Sequence, residues 1–216
     1  MDIKVPTLLS DITVEEFQRF HAVQSNEDND KDFLLYKTIE IFCGLDIQNV
    51  LKFPQDQAEA IATEIAEVLG QPASFKGRFK LNDIEYGFIP NLEKLTLGEY
   101  IDLETYLVDT KNLHKAAAVM YRPIIKDYKG LYTIMDYEGS KEHSDIMKQA
   151  PIDVISQAVV FFYNLGNELL MVSQNSLLEQ ETEIVTILEK LNLGKSTDGL
   201  TPSTLSLMET LVSLRR

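Results

Sequence analysis

One cysteine, three histidines and no tryptophan occur in a chain of 216 residues. A single thiol excludes an intramolecular disulfide and any multi-thiolate zinc site. Three histidines leave little material for a histidine-built metal centre. Basic charge is also scarce. Lysine and arginine number 20 against 34 acids, for a net charge of −14 and a pI near 4.6. That balance argues against a nucleic-acid binder working by bulk electrostatics. No apolar run approaches the ~18 residues of a membrane helix. The nearest, 158–170, is broken by Asn164, Gly166, Asn167 and Glu168. The opening stretch is interrupted by Pro6 and Asp11 and does not read as a secretory signal. The expectation is a soluble protein made in a cytoplasm, without membrane attachment.

What is present suffices for a core. Hydrophobic residues make up 44% of the chain, and nine Tyr and ten Phe supply bulk in place of Trp. Helix signals come first. Thr13 with Glu16 three residues on is a capping box, each side chain serving the other's backbone N–H. A polar loop over Ser25–Asp32 precedes a helix from about Asp32 to Cys43, with Gly44 as its left-handed stop. Asp46–Lys52 reads as a short helix, and Pro54 opens another that runs to Leu69. The pattern then alternates on both sides of Asn82-Asp83, which predicts a β-hairpin over about 75–89. Thr96 and Glu99 form a second capping box. Leu97, Tyr100, Ile101 and Leu103 are expected on the buried side of its helix, with Asp102 and Glu104 on the rim.

Leu113–Tyr121 reads as a further helix stopped by Pro123, and Asp127–Ser140 as an ordered loop over the core. A short helix over Glu142–Gln149 and a long buried helix over Ile152–Val172 follow, then an amphipathic stretch over Ser176–Leu191. The predicted architecture is mainly α: a helical bundle with one central hairpin. Residues 1–193 would form that domain. Residues 194–216 would form a linker and a short amphipathic arm carrying Leu205, Met208, Leu211, Val212 and Leu214 as interaction residues. The arm either folds back on its own bundle or docks on a neighbour.

Motifs that carry chemistry are few. Asp28-Asn29-Asp30-Lys31-Asp32 begins like a calcium loop, but such a loop needs Gly at its sixth position and Glu at its twelfth. Phe33 and Ile39 stand there, so a solvated loop is the better reading. Gly194-Lys195-Ser196 resembles the end of a phosphate-binding loop, yet Glu189 replaces the required upstream Gly. Cys43 lies on an apolar helix face without a nearby base, which reads as a buried structural thiol. His21 and His114 sit on separate helices without ligand spacing. Lys76-Gly77-Arg78-Phe79-Lys80 is a basic patch on the hairpin, better read as an outward strand face than as a phosphate contact. If the protein were an enzyme, His143, Asp145, Tyr137 and Arg122 would be the first suspects. No metal and no cofactor are expected.

Three stretches carry a resemblance. The first is Ile12-Thr13-Val14-Glu15-Glu16-Phe17, with the helix ending Ile41-Phe42-Cys43-Gly44-Leu45 and the Pro54 helix. The second is Phe79–Tyr86 leading into Leu95–Leu103. The third is Leu113–Pro123, with the Phe161-Phe162 helix beyond. In this order they resemble small, largely uncharacterised virion and morphogenesis proteins of tailed bacteriophages, over about residues 10–170. The shared positions are helix caps and core residues, so no active-site residue is carried over.

The resemblance implies a non-enzymatic structural or assembly protein: a multi-copy ring, connector or tail-related component. Its partners would be other phage proteins and further copies of itself. It would act in the host cytoplasm during assembly or in the virion, without sequence-specific nucleic-acid binding. Two other readings stay open. One is an assembly chaperone not retained in the particle. The other is a small enzyme or host-directed inhibitor.

Overall fold

The chain's first helix begins where its cap signal predicts. A computed structural model describes residues 3–164. The Thr13 hydroxyl accepts from the Glu16 N–H at 3.2 Å, and Glu16 Oε2 accepts from the Thr13 N–H at 2.8 Å. Helix α1 then covers Val14–Gln24. Asp30, from the failed calcium pattern, caps α2 (Lys31–Cys43) by accepting from the Phe33 N–H at 2.7 Å. Gly44 closes α2 with φ of 62°, a left-handed conformation that glycine enters at least cost. The short α3 (Ile47–Val50) and α4 (Gln55–Leu69) follow. Ile39, Val50 and Ala58 form a small core among these helices.

The hairpin also forms. Strands β1 (Arg78–Leu81) and β2 (Ile84–Phe88) pair antiparallel about Asn82 and Asp83, whose φ angles are 49° and 63°. Two successive positive φ values make the turn whose twist suits a two-residue hairpin, and Asn and Asp tolerate it. Helices α5 (Leu97–Tyr106) and α6 (Leu113–Met120) come next. They are followed by β3 (Tyr121–Tyr128) and β4 (Leu131–Ile134), then α7 (Lys141–Met147) and α8, which covers 152–164 of the described residues.

The bundle with a single hairpin is therefore corrected to a mixed α/β fold. The four strands form one antiparallel sheet in the order β1-β2-β3-β4. Helix α6 ends at Met120, and the strand begins at Tyr121, two residues before Pro123. Pro123 is tolerated inside β3 because the β3–β4 ladder ends beside it: its carbonyl accepts from the Met135 N–H at 2.9 Å, just past the end of β4. The expected loop over 127–140 is partly a second hairpin, turning at Lys129 (φ 51°) and Gly130 (φ 88°). It was harder to read because lysine is an uncommon residue for the first left-handed position.

The main core lies between the sheet and the helices. Tyr86, Phe88 and Tyr121 are buried, as is the run Ala116–Met120 of α6. Phe88 touches the rings of Phe75, Tyr121, Phe161 and Phe162, with centroids 4.9–5.6 Å away. The N-terminal segment is tied in by backbone: Val14 N–H donates to the Ala150 carbonyl and Ile152 N–H to that of Ile12. The expected linker and arm, with Leu205, Met208, Leu211, Val212 and Leu214, lie outside the described residues, as does the amphipathic stretch 176–191.

Candidate functional site

Helix α5 turns opposite faces to the protein and to solvent; Leu103 is buried and Glu104 exposed as expected, but the other expected buried positions are not. Its inward side holds Glu99 and Leu103, both buried, with Asp102 and Tyr106 half-buried. Leu97, Tyr100 and Ile101, expected to anchor the helix, are instead 73%, 55% and 50% exposed. The reason is an ion pair. Arg122 on β3 lies opposite Gly87 on β2 and is itself buried. Its Nη2 donates to Glu99 Oε1 at 2.5 Å. A buried guanidinium requires a paired carboxylate, and that requirement outweighs the apolar periodicity of the helix.

Glu99 serves two partners. Its Oε2 closes the capping box with the Thr96 N–H and hydroxyl at 2.7 Å each, while Oε1 takes Arg122. The segment after β4 returns to α5, where the Tyr137 hydroxyl donates to Asp102 Oδ2. The Arg122 guanidinium carbon lies 5.6 Å from the Tyr137 ring centre. Burial, then the bond to the Asp102 carboxylate, pushes the Tyr137 phenol well above its ordinary range, so it stays protonated as a donor. Arg122 Nε is buried without a partner among the described residues.

Two clefts flank this network. One, of about 230 Å³, is lined by Arg122, Ile125, Met135, Tyr137 and His143 among others. The second, of about 210 Å³, shares Arg122, Met135, Asp136 and Tyr137 and adds Glu99 and Lys94. Three of the four suspected residues, Arg122, Tyr137 and His143, thus meet at one cleft. Asp145 does not line it. It is exposed and pairs with Lys148 at 2.7 Å, which holds its carboxyl below the usual range. Sequence reasoning missed Glu99 and Asp102 as network members. Glu99 carried a signal, its place in the capping box, but nothing local revealed the second partner. Arg122 and Tyr137 are engaged by Glu99 and Asp102, so the arrangement braces α5 against the sheet.

The basic patch is largely paired within the fold. Lys76 Nζ binds Asp153 at 2.6 Å. Arg78 pairs with Asp127, donates to the Gly130 carbonyl at 2.9 Å and lies 4.4 Å from the centre of the Tyr132 ring. Cys43 is half-buried rather than fully buried, and burial raises its thiol pKa. His114 takes a 3.1 Å contact from Gln18 Nε2, and burial, aided by Lys148 and Lys115, lowers its imidazole pKa. His21 lies 3.2 Å from the Ser25 hydroxyl. Among the described residues no helix is long and apolar enough to cross a membrane.

Comparison of the chain with protein-family models, with curated proteins and with solved structures found no match.

Proposed function

We propose that this chain is a non-enzymatic bacteriophage structural or assembly protein that works through protein–protein contacts. The phage assignment rests on the resemblance over about residues 10–170. The mode of action rests on one observation: α5 is braced from behind by Glu99–Arg122 and Asp102–Tyr137 while Leu97, Tyr100 and Ile101 face solvent. A rigid helix with outward apolar residues suits recognition of another polypeptide. Of the polar groups lining the clefts, Glu99, Arg122 and Tyr137 are engaged in holding that helix, which supports a structural role for them.

In this reading the protein acts in the host cytoplasm during assembly, as a multi-copy ring, connector or tail-related component. Quantitative mass spectrometry of purified virions tests it. A fixed copy number that matches a ring symmetry is the expected result. Absence from the particle, with abundance in infected cells, would replace the structural role with that of an assembly chaperone.

A further inference from the structure

Where α1 meets α6, one side-chain nitrogen serves two partners. Gln18 Nε2 on α1 donates to the Thr110 carbonyl at 2.7 Å and lies 3.1 Å from His114 Nδ1 on α6. An amide nitrogen carries two N–H groups and accepts no hydrogen bond. One N–H goes to Thr110, so the other meets the imidazole. Nδ1 must then accept. His114 is therefore neutral here, with its proton on Nε2.

Acid reverses the fit. A proton on Nδ1 would face the amide N–H, donor against donor. The amide cannot turn over to help, because its oxygen would then oppose the Thr110 carbonyl. The charges around His114 do not favour the imidazolium either. Lys148 and Asp145 of α7 are already paired with each other, Lys115 stands on α6 itself, and Glu15 on α1. Two cations thus offset two carboxylates, and His114 is half-buried.

The two halves of α1 are held differently. At its start, the Val14 N–H donates to the Ala150 carbonyl at 3.0 Å and the Glu15 N–H to that of Lys148 at 2.9 Å. Backbone bonds do not titrate. The later half relies on Gln18, on Phe20 against the Phe42 ring, and on Asn29 Nδ2, which donates to the Val23 carbonyl at 2.7 Å. His21 is the other titratable group there, and its 3.2 Å contact is with Ser25 of the same segment.

We infer that Gln18 and His114 form a pH-sensitive latch between α1 and α6. In neutral solution the amide bridges imidazole and carbonyl. In mild acid the imidazole takes a proton, the bridge opens, and residues 18–24 loosen while the start of α1 stays anchored.

Nitrogen-15 NMR of the imidazoles in the full-length protein tests the first step. At pH 7.5 His114 should be the neutral Nε2–H tautomer; an Nδ1–H tautomer would overturn the latch. Hydrogen exchange read by mass spectrometry, corrected for intrinsic rates, tests the second. Between pH 7.5 and 5, peptides over 18–24 should lose protection by about threefold or more relative to α5. His114→Gln offers Gln18 an uncharged acceptor, so it should keep the protection and remove the loss. His21→Gln should leave the loss in place. A loss equal in α1 and α5, or one that persists in His114→Gln, would mean general acid loosening and overturn the proposal. Circular dichroism melts at pH 7.5 establish that the variants are folded, and the tautomer of the unaltered protein decides the question if one is not.

Discussion

Arg122 carries a charge into the interior, so its cost depends on Glu99. Removing one member strands the other. Arg122→Met alone should therefore destabilise by about 3–5 kcal/mol, and Glu99→Gln by a comparable amount. The double variant should cost clearly less than the sum, as chemical denaturation in a double-mutant cycle would reveal. Additive losses would mean that the pair is not coupled.

Titration gives a second test at this scale. His114 has a lowered pKa in the folded chain, so below its ordinary value of 6.5 the unfolded state takes up a proton that the native state resists. Stability should fall as pH drops through 6.5, and His114→Gln should flatten that limb. Tyr137 and Tyr121 are raised, both chiefly by burial, from an ordinary 10.0. Their protons are held in the native state, so stability is undiminished below pH 10 and falls as pH rises above it. Urea midpoints measured from pH 5 to 11 would check both limbs.

At the scale of elements, the sheet depends on a glycine. A Cβ added at Gly87 would lie 2.8 Å from Tyr132 Cδ2 and closer still to Cε2. The ring cannot easily retreat: its hydroxyl lies 2.7 Å from the Phe88 carbonyl and 3.1 Å from that of Gly77, and Arg78 stacks on its face. Gly87→Ala should destabilise by about 1–3 kcal/mol, as overpacking does. Phe88→Ala removes the centre of the aromatic cluster and should cost about 3–5 kcal/mol. Phe162→Ala should cost less, because Phe162 is only partly buried. Thermal melts would rank the three.

The same elements show which features were readable locally. Caps at Thr13 and Thr96, the stop at Gly44 and the turn at Asn82-Asp83 each involve residues at most four apart, and each was legible. The β3–β4 hairpin was not. Pro123 looked like a helix stop, and its compatibility with a strand depends on the ladder ending beside it. The alternation in Tyr132-Thr133-Ile134 and the Gly130 turn were the available signals.

For the whole molecule, the proposed role in contacts predicts that chelation leaves the melting temperature unchanged, since no metal supports the fold in this reading. A shift with EDTA would reopen a metal-dependent one.

Short-range chemistry was enough to place most helices and the first hairpin, because capping and turn geometry are settled within a few bonds of the chain. It also brought Arg122, Tyr137 and His143 forward as suspects, from residue type alone. The number of strands, the outward turn of Leu97, Tyr100 and Ile101, and the partnership of Glu99 with Arg122 lay beyond its reach. Each depends on residues distant in sequence. A buried guanidinium on β3 demands a carboxylate, and meeting that demand rotates α5 so that its apolar side faces water. No periodicity within the helix records that demand, because it arises 23 residues away.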